Sequence, residues 1–199
     1  MPEGRMYTSA RIHTRDRGHW TYGFFEARMK TPTGRGMWPA FWMLPQPESP
    51  QNTGNKYGGW AASGEIDIME AKGRLENRVD TTLHFGNWGM STYKTSTTRM
   101  KTSTEEWHIY ALEWTELYMA WYVDGLEVFR VTSREWWSQA VGGNAAESNA
   151  VNQAAPFDVD FYILINLAVG GNYDGGNAPD ESFTSAAMYV DYVRVYQAV

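Results

Sequence analysis

The sequence predicts an all-β fold, a β-sandwich of two antiparallel sheets, on three observations. Apolar and polar residues alternate with a period of two through six segments, at 21–30, 65–70, 107–114, 119–123, 161–167 and 188–196. Turn signals separate them, among them Pro32-Thr33-Gly34 and Gly170-Gly171-Asn172. Helical periodicity is weak throughout. Many short strands with few helices pack best as two facing sheets, each burying one side.

Each element follows from its local pattern. Asp124-Gly125 lies between Trp121-Tyr122-Val123 and Leu126-Glu127-Val128, the arrangement of a two-residue hairpin. Residues 132–140 predict a short helix after a Ser or Thr cap, and the small, polar stretch 142–155 a surface loop. The 199 residues (1–199) suit one domain, large enough to bury a core without disulfide or metal staples.

Composition excludes several functions. A net charge of −6 disfavours a nucleic-acid binder, which gathers Lys and Arg on one face to meet phosphates. The chain has no Cys, so thiolate catalysis and Cys-based metal sites are excluded. No apolar run is long enough to span a bilayer, and the first residues do not read as a secretory signal. Ten Trp and twelve Tyr exceed what a β-rich core needs, and the surplus points to a surface on which flat pyranose faces stack.

The chemistry is concentrated in Gly64-Glu65-Ile66-Asp67-Ile68-Met69-Glu70. A helix would point Glu65 and Glu70 about 140° apart, too far to act as a pair. On a strand, Glu65 and Asp67 share a face while Ile66 and Ile68 point to the opposite layer. Glu70 is out of phase by one, and a β-bulge near Met69 returns it to the face of the other two acids. Four pleat steps put the two Glu Cα atoms roughly 13 Å apart; with each side chain leaning in by roughly 4 Å, the carboxylates come about 5 Å apart. That separation suits a retaining glycosidase, with one carboxylate as nucleophile and the other as acid, then base. Negative charge on Glu65 and Asp67 is expected to raise the pKa of Glu70 and keep it protonated.

The segment Glu65–Glu70 resembles the signature of glycoside hydrolase family 16, and its extra residue, Met69, resembles the bulged, laminarinase-like branch. Further segments fall in that family's order: Tyr7-Thr8-Ser9-Ala10-Arg11-Ile12, Gly36-Met37-Trp38-Pro39-Ala40-Phe41-Trp42, Asn166-Leu167-Ala168-Val169-Gly170-Gly171 and Val190-Asp191-Tyr192-Val193-Arg194. The resemblance implies a β-jelly roll with a concave, sugar-binding cleft, endo-hydrolysis of β-1,3-glucan with retention, and an extracellular protein with no membrane partner. It assigns Glu65 as nucleophile, Asp67 as its assistant and Glu70 as acid/base. It also implies that Trp38, Trp42 and Trp60 line the glycone side, with His84 near the catalytic strand. Arg28 and Trp107 are its weaker substrate-binding candidates; Trp107, like Trp88, reads on its own as a core residue. Mixed-linkage glucan, agar, carrageenan and galactan stay open as substrates on the same strand, and so does a non-catalytic β-glucan-binding module.

The sequence departs from the family at its start, where only Met1 to Met6 precede Tyr7. The expectation is that the usual first strands are lacking, leaving a sheet edge that invites pairing with a second copy. No cofactor is required by the chemistry. Asp191 matches a structural calcium ligand of the family, whose partners there come from the N-terminal strands.

Overall fold

The computed structural model describes residues 7–48 and 55–197. The expectations attached to Met1–Met6 therefore concern residues outside the described ones. Among the described residues, twelve strands form two antiparallel sheets. The first runs in the order β1 (Arg11–His13), β11 (Phe161–Val169), β4 (Met37–Pro45), β5 (Glu65–Glu70), β6 (Arg78–Asn87), β7 (Met90–Arg99), with β2 (His19–Trp20) also paired to β11. The second runs β10 (Leu126–Thr132), β9 (Tyr118–Val123), β8 (His108–Trp114), β3 (Gly23–Lys30), β12 (Tyr189–Tyr196).

Strand alternation fills the space between the sheets. Phe25, Ala27 and Met29 of β3, Leu112 and Trp114 of β8, and Trp121 of β9 meet Phe41 and Met43 of β4, Ile66 of β5 and Ile163 of β11 in one buried cluster. The residues of β4, β5, β6 and β11 that alternate with these core positions are thereby turned to the outer face of the first sheet, where the site lies. All six alternating segments are strands, and the Asp124-Gly125 hairpin is present, with φ of 50° and 79° at its two central residues, as a type I′ turn demands.

Two of the strands absent from the sequence reading, β4 and β7, lack alternation. Most of β4 is buried on both faces, so it reads as an apolar run broken by Pro39. The largely exposed β7 is dominated by Ser and Thr.

Two local expectations are corrected. Residues 132–140 form no helix; Thr132 ends β10 and the rest runs through turns, because its backbone groups bond a neighbouring segment: Trp137 O accepts from Gly86 N, and Gln139 N donates to Gly86 O. The helix instead lies inside the expected loop, as α1 (Ala145–Asn152). Asn144 caps it by accepting from Glu147 N at 3.1 Å, and the Glu147 carboxylate returns to Gly143 N at 2.9 Å, variants of a capping box. No helix among the described residues is long and apolar enough to cross a membrane.

Candidate active site

The site begins with a register shift. On one side of β5, Asp67 pairs with Thr82 and Glu70 with Asp80, so Ile68 and Met69 together oppose the single residue Thr81. On the other side, Trp42 pairs with Asp67 and Phe41 with Met69, leaving Ile68 without a counterpart. Both bulge residues are buried in the core. The bulge therefore sends Glu65, Asp67 and Glu70 to one face and Ile66, Ile68 and Met69 to the other, as the sequence predicts. Gly64 makes the entry to this strand: its φ is +86°, and an added Cβ would sit 2.6 Å from the Phe157 ring.

The three acids have different surroundings. Glu65 accepts the Trp60 indole N–H at 2.6 Å and is hydrogen-bonded to Asp67. Asp67 is buried, and its Oδ2 lies 3.3 Å from His84 Nε2. His84 is held on its other ring nitrogen by Ser91 Oγ at 2.7 Å and stands opposite Glu65 in the ladder. Glu70 accepts the Trp38 indole N–H at 2.9 Å.

Burial pushes Glu65 up to about 8, with the Asp67 charge adding to the effect, and pushes Glu70 up to about 7, with Glu65 contributing. Asp67 is also raised well above the carboxylate range by burial and by Glu70. This modifies the expectation of one raised and one ordinary Glu. Desolvation acts on both, because both lie under aromatic cover, and Asp67 bears most directly on Glu65.

The floor and walls of the cleft come from β4, β5, β11 and β1. Two troughs, of about 410 and 430 Å³, share Arg11, Trp42 and Glu65 and so form one cleft. Trp38 and Trp42 both line it. Trp42 is fixed by donating to Asn166 Oδ1 at 2.8 Å and is covered by the Arg11 guanidinium, 4.7 Å from its ring centre. Trp60, 43% exposed, stands at the Glu65 end with its ring beside that of His84. Glu65, Asp67, Glu70, Trp38, Trp42, Trp60 and His84 are thus brought together.

Arg28 and Trp107 are not. Because Phe25, Ala27 and Met29 point into the core, Arg28 emerges on the outer face of the second sheet, away from the acids. Trp107 stacks there against Arg28 and Lys30. Trp88 is exposed rather than core, its indole N–H donating to Tyr57 O. Asp191 is on that outer sheet as well, accepting Arg28 Nη1 at 2.8 Å. A calcium ion needs about six to eight oxygens. With a guanidinium already on its one carboxylate, this cluster of described residues does not fit the ion.

Sequence reasoning missed Arg11, Asn166, Tyr173 and Asp80. Asn166 is the one of these with a local signal, a polar residue on an otherwise apolar strand of β propensity.

The cleft is thus a solvent-open trough with indole walls and three acids on its floor. The chain belongs to the glycosyl hydrolases family 16, whose model matches residues 3–151. It is 44% identical over 196 residues to the glucan endo-1,3-beta-glucosidase A1 of Niallia circulans, covering 96% of this chain and 26% of that protein. It is 39% identical over 199 residues to the beta-glucanase of Rhodothermus marinus, covering 99% of this chain and 65% of that one. The chain thus spans less than two thirds of either relative. The crystal structure of the laminarinase from Rhodothermus marinus superposes with a TM-score of 0.79 at 38% identity, covering 99% of this chain and 74% of that structure.

Proposed function

We propose that this chain, as one catalytic domain, hydrolyses β-1,3-glucan internally and with retention of anomeric configuration. The observation that carries the reading is the bulge, which sets Glu65 and Glu70 on one face of one strand. The names of the two relatives, an endo-1,3-beta-glucosidase and a beta-glucanase, support the substrate class, as does the open, Trp-lined cleft.

In the first step a Glu65 oxygen attacks the anomeric carbon while Glu70 gives its proton to the departing glycosidic oxygen. In the second, Glu70 takes a proton from the water that displaces Glu65. Glu65 must be ionised for attack. Burial raises both Glu65 and Asp67, and the Asp67 charge raises Glu65 further. The Trp60 indole N–H, 2.6 Å from a Glu65 oxygen, favours the ionised form that attacks. An extracellular location suits a polymeric substrate.

The test is release of reducing ends from soluble β-1,3-glucan by the wild type and by Glu65→Gln, with agarose and mixed-linkage glucan in parallel. The expected result is turnover of β-1,3-glucan by the wild type alone. Turnover of agarose with none on β-1,3-glucan overturns the substrate class, and full activity of Glu65→Gln overturns the nucleophile.

A further inference from the structure

A fourth carboxylate stands beside the triad. Asp80 of β6 is directly across the ladder from Glu70. Its Oδ1 accepts from Thr97 Oγ1 at 2.6 Å, and its Oδ2 accepts from Tyr173 Oη at 2.6 Å and from Lys72 Nζ at 3.1 Å. Three hydrogen bonds and the Lys72 charge hold Asp80 ionised and below the usual carboxylate range despite its partial burial.

Tyr173 belongs to the 3₁₀ turn Asn172–Asp174, far along the chain from β5. Its ring does a second job, stacking on Trp38 with centroids 5.0 Å apart and planes 24° from parallel. Trp38 is the residue whose indole N–H reaches Glu70. Burial and the nearby carboxylates raise the Tyr173 phenol, so it stays a donor at any working pH. Arg74 anchors the same turn through Asp174, Nε to Oδ1 at 2.6 Å.

We propose that Asp80 and Tyr173 are positioning residues for Glu70 that act on it in opposite senses. Asp80 sets a fixed negative charge across the ladder and disfavours the Glu70 carboxylate. Tyr173 braces the Trp38 indole, whose hydrogen bond favours that carboxylate. The other groups facing Glu70 are Glu65 and Asp67 on its own strand, His84 on β6 and Lys72 in the turn after β5. The balance keeps Glu70 near neutrality, able to give and take a proton in turn. The role of Glu70 as acid/base rests on the hydrolase reading above.

The test is a carbon-13 carboxyl titration of Glu70 by NMR in a Glu65→Gln background, which needs no substrate. Asp80→Asn is expected to lower the Glu70 midpoint by on the order of one unit. Tyr173→Ala is expected to raise it, and Tyr173→Phe, which keeps the stack, to leave it near the parent value. Shifts of the same sign, or none, overturn the proposal. Thermal melts establish that each variant is folded, and Asp80→Ser is read in the same way if Asp80→Asn is not. A wild type inert on every glucan would instead sink the hydrolase reading, so the two failures are told apart.

Discussion

Trp121 donates its indole N–H to the main-chain carbonyl of Asp67 at 2.9 Å, a bond that crosses the core from β9 to β5. The bulge disturbs the ladder at this point, and the opposite sheet supplies a fixed donor to the backbone that carries the acids. Trp121 is fully buried, so no solvent competes for the bond.

Trp121→Phe keeps most of the ring volume and removes the donor. It is expected to cost about 1–3 kcal/mol of stability, the penalty of a buried carbonyl left unsatisfied. The urea midpoint measures this. Steady-state kinetics on β-1,3-glucan should show kcat falling with KM little changed, because the cleft walls are untouched.

The pH dependence follows from the two raised carboxyls. On the proposed mechanism turnover needs Glu65 ionised and Glu70 protonated, so kcat/KM is expected to be bell-shaped with breaks at about 7 and 8. Asp67→Asn removes a charge that raises Glu65, and the upper break should move to lower pH. An upper break that stays in place would remove Asp67 from the electrostatic account.

Stability carries the opposite sign. Unfolded Glu65 loses its proton near the ordinary value of 4.5, while folded Glu65 holds it to about 8. The folded state thus loses stability as pH rises through this window. Glu65→Gln should melt several degrees above the wild type at pH 8, with a much smaller difference at pH 4.

Trp42→Ala removes an aromatic wall and leaves Asn166 Oδ1 and the Arg11 guanidinium without their partner. Loss of stacking on a sugar face should raise KM by roughly 3- to 10-fold. Calorimetric titration of a β-1,3-gluco-oligosaccharide into the inactive Glu65→Gln form, with and without Trp42→Ala, checks it independently of turnover.

Arg28→Ala and Trp107→Ala lie on the outer face of the second sheet. Each should leave kcat/KM within about two-fold of wild type, the range of surface changes remote from a site. A larger loss in KM would bring them back to the substrate.

Much of this was legible in the chain. The period of two exposed the strands that have one wet face, and the extra residue in Glu65–Glu70 announced the bulge. β4 was hidden because a strand covered on both sides does not alternate. Arg28 was misplaced because its facing depends on which neighbours enter the core, which one strand alone does not disclose. Tyr173 and Asp80 meet through a loop and a strand 93 positions apart, a pairing with no local trace.

That separation is typical of the cleft. The Ser9 hydroxyl donates to Leu167 O, 158 positions away, and Trp38 leans on a residue of the 3₁₀ turn near the other end of the described chain. Such a contact order makes folding slow, since distant segments must close before their pairing rewards them. Recovery of turnover is therefore expected to be a late event in refolding, lagging the far-ultraviolet signal of strand formation. A nascent chain stopped before β11 would hold the three acids with one flank of their cleft missing. Recovery of turnover thus reports on completed topology.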